Sequence, residues 1–383
     1  MKLTSIALVF LASVSAAWAT PSPPHWVPVA PLATARADFT TTLLLDQTTL
    51  AVGGGSTASG PGLASVERWN PVTRTWSSAG ELARARFAHT ATRLLDGRVV
   101  VIGGLESFGT PLITEVEIYD PIANTWNLGA PIPVPRVFHA AVLLRDGRVM
   151  VVGGDGPGAG DTATAYIYDP TANSWSSAGS MSVAREPGRF GAFVLPDGDV
   201  LVAGGYDITT GLSHAAADRY DVATNTWLTL PSLAEARNGN TLEPLPDGRV
   251  LVIGGKNGGT IRSSTEVFDP TTNSWSAGPA LATGRWAHTS LGLGRGQIVA
   301  LGGRTPAGDT MSCELFDFAT MRWHPFPTLG TRRFKAGSTA VTTLNGSRKV
   351  RRLLVIGGHD GTGATAAVEE IVVTMPVDPD PEN

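Results

Sequence analysis

Arg36, Arg86, Arg136, Arg237 and Arg285 each stand 17 residues before a pair of glycines. Guanidinium groups repeated at one spacing can grip carboxylates, phosphates or sugar hydroxyls through paired N–H donors. Three residues further on come Phe39, His89, His139, Asn240 and His288, most of which would set an imidazole or an amide beside each guanidinium. A second set follows the glycine pairs and changes from unit to unit: Glu106 and Phe108, Asp155, Tyr206 and Asp207, Lys256 and Asn257, Arg304, and His359 with Asp360. A residue repeated in every unit most simply does one structural job repeatedly, whereas a single ligand breaks the sameness. The candidate ligand-binding residues are therefore Arg36, Arg86, Arg136, Arg237, Arg285, His89, His139, His288, Tyr206, Asp207, Lys256, Arg304, His359 and Asp360, with the arginines also readable as struts between units. Two units are irregular, offering Arg185 or Arg189 in one and Arg332 or Arg333 in the other.

Catalytic signatures are sparse. The chain has no His-Glu-x-x-His, no phosphate-binding Gly-rich loop ending in Lys-Ser/Thr and no Gly-x-Ser-x-Gly. Cys313 is the only cysteine, so neither a zinc-binding pair nor an internal disulfide exists, and its place among aliphatic residues fits a small buried hydrophobe. No cofactor and no metal are expected.

The elements that position these residues repeat. Double glycines begin at Gly53, Gly103, Gly153, Gly204, Gly254, Gly302 and Gly357. Trp26, Trp76, Trp126, Trp175, Trp227, Trp275 and Trp323 keep the same step of about fifty residues. Within a unit, short apolar runs such as Val99–Ile102 and Val149–Val152 end in Gly-Gly and have the length and β-branching of buried strands. Asp96-Gly97, Asp146-Gly147, Asp197-Gly198, Asp247-Gly248 and Asn345-Gly346 precede them and suit tight hairpins. A third strand pairs an acid with an aromatic, as in Glu67/Trp69, Glu117/Tyr119, Glu266/Phe268 and Glu314/Phe316, and a fourth carries the tryptophan. One unit has Tyr166 in place of the acid, another has Asp218, and the last has no aromatic at the end of its third strand.

Gly-Gly after an aliphatic strand, Glu-x-aromatic-Asp-Pro and Asn-Thr/Ser-Trp, recurring in order over residues 25 to 375, resemble Kelch repeats. The resemblance implies an all-β, seven-bladed β-propeller of four-stranded antiparallel blades around a central channel. The last unit stops before its tryptophan, and Trp26 opens a fourth strand with nothing before it, so the N-terminal strand is expected to complete the last blade as its outer strand. Such propellers bind proteins or glycans at the loop-rich mouth. Some act on sialic-acid-like sugars as mutarotases or epimerases through an Arg and a Glu, a role for which Glu106 and Glu243 are the acids nearest the right loops. The galactose oxidase type is disfavoured, because its copper site needs two tyrosines and two histidines in a pattern this sequence does not show.

Composition narrows the partners. The 383 residues carry 29 Lys and Arg against 33 Asp and Glu, a formal net charge of -4, so there is no basic surplus to attract nucleic acid or anionic lipid. The 42% hydrophobic content supports a folded core, and charged residues at 16% fall below the roughly 25% of ordinary globular chains, which disfavours long charged helices. Lys2, the apolar run from Leu3 to Ala17 and the Ala17-Trp18-Ala19 site read as a signal peptide cleaved before Thr20. The expected product is an exported monomer, periplasmic or extracellular, with the propeller over residues 20–375 and a Pro-Asp-rich tail at 376–383.

Overall fold

A computed structural model describes residues 24–56, 61–158, 160–188, 191–345 and 348–373. The expected signal peptide, Arg189 and the C-terminal tail lie outside the described residues. Among them every element is a strand, and seven sheets of four antiparallel strands stand around one axis. Blade one comprises Thr40–Leu43, Thr49–Val52, Leu63–Asn70 and Thr75–Arg86. Blades two to six repeat this order over residues 90–129, 140–180, 192–229, 241–277 and 289–326. In blade seven Gly337–Asn345, Arg348–Ile356 and Val368–Val373 are joined by the N-terminal strand Val27–Val29, with Val27 opposite Glu370 and Val29 opposite Val368. The chain thus closes its own ring, as the unpartnered Trp26 implies.

Three repeated contacts tie the blades together. The second strands of blades one to five are wholly buried, as are Ile298–Leu301 and Leu353–Ile356 in blades six and seven, and clusters such as Val99, Val101, Leu50, Val52 and Tyr119 pack one sheet face against the next. The fourth-strand tryptophans reach back one blade: Trp126 Nε1 donates to the Ala79 carbonyl at 2.9 Å, Trp227 to Ala178 at 2.7 Å, and Trp26 to Pro327 at 2.8 Å. In blades one to six the tryptophan ring packs on the third-strand aromatic, with Tyr119 and Trp126 5.1 Å apart, and Trp26 meets Phe326 edge-on. The glycine pair makes the third contact. Gly104 N donates to the Arg136 carbonyl of the following blade at 2.9 Å, and Gly358 N to Arg36 at 2.8 Å across the closure. A Cβ on Gly103, whose φ is 65°, would fall 2.4 Å from that same Arg136 carbonyl, so no other residue fits there.

Candidate functional site

The repeated arginines are buried in the blades beneath the mouth. Arg36, Arg86, Arg136, Arg185, Arg237 and Arg285 are 0% exposed and Arg333 is 1% exposed. In blade two, Arg86 Nη1 donates to the Gly103 carbonyl at 3.1 Å and the Glu115 carbonyl at 3.0 Å, while Nη2 meets Glu117 Oε1 at 2.6 Å. Arg36–Glu67, Arg185–Asp218, Arg237–Glu266, Arg285–Glu314 and Arg333–Glu369 repeat that ion pair. These acids are the ones that mark the third strand in the sequence. Arg136 faces Tyr166 instead, its guanidinium 5.3 Å from the ring centre, and Nη2 donates to Thr164 Oγ1. Without a carboxylate partner, burial pulls its pKa down to about 10.

The histidines are likewise inter-blade fasteners. Nε2 of His89, His139 and His288 lies 3.0, 2.8 and 3.1 Å from Thr40, Thr90 and Thr241 Oγ1 of the preceding blade. Burial, helped by the adjacent Arg136 and Arg285, drops His139 and His288 to about 3 and keeps them neutral. Neither the arginines nor His89 and His139 reach the mouth, because their polar atoms are turned into the blades; only the edge of His288 does. The irregular blades use Arg185 and Arg333.

The mouth is built one and two residues further on. Just after each arginine, Ala37, Phe87, Val137, Glu186, Asn238, Trp286 and Phe334 bridge to Gly55, Leu105, Asp155, Tyr206, Lys256, Arg304 and His359, the residues immediately past the glycine pairs. This circle is uneven. Blades one to three contribute mostly small or apolar side chains, and blades four to seven bring the charge and the indole. The next residue curls under the circle in a left-handed conformation, with φ of 51° at Asp38, 52° at Ala88, 55° at Phe138, 49° at Ala287 and 53° at Lys335. This backbone forms a floor in which Ala88 N donates to Asp38 O, Phe138 N to Ala88 O, Gly188 N to Phe138 O and Lys335 N to Ala287 O. Lys335 Nζ and Asp38 Oδ2, 2.7 Å apart, join blades seven and one.

Above this floor lies a cavity of about 280 Å³ walled by Glu186, Tyr206, Asn238, Asn240, Lys256, Trp286, His288 and Lys335. Lys256 Nζ sits 3.8 Å from the centre of the Trp286 ring. Arg304 lies over Phe334 at 4.4 Å and is held by Asp309 at 2.6 Å, and His359 stacks on Phe334 with centres 4.9 Å apart. Burial lowers the Lys256 pKa, and the charges of Arg304 and Lys335 lower it further. In blade four, burial pushes the Glu186 carboxyl up to about 8, with Asp161 and Asp155 adding to the shift and Lys335 opposing it. Asp207 and Asp360 are used locally: they cap their own loops, through Thr209 and Thr210 and through Thr362 and Gly363.

Of the residues singled out in the sequence, Tyr206, Asn240, Lys256 and His288 line this cavity and Arg304 flanks it. Glu186, Trp286, Lys335 and Asp38 do not stand out in the sequence; Glu186 and Trp286 come one place, and Asp38 and Lys335 two places, after a repeated arginine. Glu106 pairs with Arg84 at the outer loop, and Glu243 lies deeper at the channel wall, bonded to Ser290 at 2.6 Å and raised to about 7 by burial. Among the described residues no His, Cys, Asp and Glu group is arranged to hold a metal ion.

Fold and mouth together define a seven-bladed propeller with an asymmetric axial cavity. The chain belongs to the Kelch-repeat family: the KLHDC2/KLHL20/DRC7 Kelch-repeats domain matches residues 38–243 and the Kelch motif matches residues 246–282. No curated protein matches the chain. Among solved structures, that of YjhT is similar in fold, with a TM-score of 0.59 and 16% identity over 77% of this chain and 98% of that one. No helix among the described residues is long and apolar enough to cross a membrane.

Proposed function

We propose that this is an exported, non-catalytic Kelch propeller that binds the acidic sugar of a glycan at its axial mouth. One observation carries the reading: Lys256 over the Trp286 face and Lys335 bring two cations and an aromatic ring into one cavity, with Arg304 flanking it over Phe334. Aromatic faces beside a few converging polar groups suit a ring-shaped ligand, and the cations select one with a carboxylate. The enclosed floor favours the end of a glycan over a broad protein surface. Thermal-shift titration with glucuronate, N-acetylneuraminate and galactose tests it. The acidic sugars should raise the melting temperature and galactose should not, and Lys256→Met should abolish the shift. Equal shifts with galactose, or none with either acid, would count against the reading.

A second reading rests on Glu186. A carboxyl that is still protonated near pH 7, facing Lys335 across the cavity, has the form of a general acid and base. The protein would then be a mutarotase or epimerase acting on a sialic-acid-like sugar. Anomer exchange followed by NMR, lost in Glu186→Gln with sugar binding intact, would favour this reading.

A further inference from the structure

Seven apolar clusters lie between the blades, one at each junction, and among the described residues an eighth stands apart from them. It belongs to the mouth of blades two and three. There buried Phe87, Ala88, Leu105 and Val137 pack together, with half-buried Leu112 and Phe138 against them. The Phe87 ring meets Phe108 edge to face at 5.4 Å, and Phe108, at 58% exposed, continues the apolar surface along the blade-two loop.

Phe138 joins this cluster to the axial cavity. It packs on the cluster and also lines the cavity, beside Ala88 of blade two and Pro187 of blade four. Its φ of 55° is a backbone conformation that bulky side chains rarely adopt. Asp38, Ala88, Gly239, Ala287 and Lys335 hold the same place and conformation in other blades, so blade three keeps an aromatic ring there against backbone preference. The cations reach the cavity from elsewhere: Lys256 from blade five and Lys335 from blade seven, with the Trp286 ring from blade six. Blade three is separated from blade five by one blade and from blade seven by two. A ligand that crosses the axis from the two lysines therefore meets carbon surface at Phe138.

We propose that the acidic sugar carries an apolar substituent, about the size of a single aromatic ring, which packs on Phe138 in the blade-three part of the cavity. Contact between the substituent and Phe138 removes apolar surface of both from water, and two rings gain further by an offset or edge-to-face arrangement. The size agrees: about 280 Å³ is at the low end for small-molecule sites, which suits a sugar ring with a short substituent better than a long chain.

This inference rests on the carboxylate reading of the cavity, and the experiment separates the two. Calorimetry on the full-length protein compares methyl glucuronide, phenyl glucuronide and phenyl galactoside, all as β-glycosides. The phenyl glucuronide should bind at least about 10-fold tighter than the methyl glucuronide, a difference of about 1.4 kcal/mol, and the phenyl galactoside at least about 10-fold more weakly than the phenyl glucuronide. Phe138→Ala copies Ala88 and Ala287, which share its backbone conformation, and should bring the two glucuronides to within about twofold of each other. A smaller ratio between the glucuronides in the parent, or an undiminished ratio in Phe138→Ala, overturns the apolar subsite and leaves the carboxylate reading standing. A phenyl galactoside that binds as tightly as the phenyl glucuronide overturns the carboxylate reading. Binding of none of the probes overturns both.

Discussion

Two concentric rings differ by one position in the chain and by almost everything else. The ring of Arg36, Arg86, Arg136, Arg185, Arg237, Arg285 and Arg333 is close to seven-fold, buried, and satisfied largely by glycine carbonyls and third-strand acids. The ring of the following residues, from Ala37 to Phe334, changes in residue type around the axis, and Glu186 is its one charged member. Sameness follows from a contact that every pair of blades must make. Variety is allowed where the side chain meets solvent or a single ligand, so the uneven ring is where binding resides. Blade four shows the tension between them. There the arginine stands 19 residues before the glycines, Arg185 keeps Asp218 at 2.7 Å, yet its Nε and Nη1 have no partner among the described residues. That is the blade that sends Glu186 into the cavity.

The comparison can be broken most severely at the ring closure. Deleting residues 20–32 removes the Val27–Val29 strand and buried Trp26 and Leu32, and uncovers the edge of Val368–Val373. The expected result is a loss of several kcal/mol, on the order of burying two large apolar side chains plus a strand's hydrogen bonds, with self-association visible by light scattering. An unchanged melt in a monomeric deletion would remove the basis for closure.

The strut ring comes next. Arg86→Ala leaves Glu117 buried without its cation and should cost about 3 to 5 kcal/mol in urea unfolding. Arg136→Ala strands no carboxylate and should cost less, about 1 to 3 kcal/mol for the hydrogen bonds lost at the Gly153 and Thr164 carbonyls. Equal losses would show that the buried ion pair is not what distinguishes them.

Smaller effects depend on pH. His139 and His288 are held near 3 in the fold, below their ordinary 6.5, so the unfolded chain binds more protons between those values. Stability should fall as pH drops from 6.5 toward 3, and His288→Asn, copying Asn240, should flatten that decline. Glu186 has the opposite sign. Its raised pKa means the folded state holds the proton between about 4.5 and 8, so stability declines as pH rises through that window. Glu186→Gln should raise the melting temperature at pH 9 and leave it unchanged at pH 5.

Much of the architecture was legible because inter-blade contacts are made by the residues that repeat. Gly103 must be glycine where the Arg136 carbonyl presses on it, and Trp126 must reach the Ala79 carbonyl, so both keep their spacing. The site was less legible for the same reason. Spacing drew attention to Arg86 and His139, whose polar atoms are spent inside the blades, whereas Glu186, Trp286 and Lys335 belong to positions where no residue type recurs in more than two blades. Tyr206 and Lys256 were found through their variation after the glycine pairs. Reading the residue after each arginine in the same way would have exposed Glu186 and Trp286, but the pairing of the two series across the mouth appears only when the blades are placed side by side.

The account is tested most directly by the melting temperature of Lys256→Met measured with and without glucuronate. The side chain touches the Trp286 face and takes no part in the strut ring, so the unliganded variant should melt with the parent. Glucuronate should then produce no rise, although it stabilises the parent. A variant that melts well below the parent and still gains the full shift from glucuronate would place Lys256 among the struts and move the binding site away from the uneven ring.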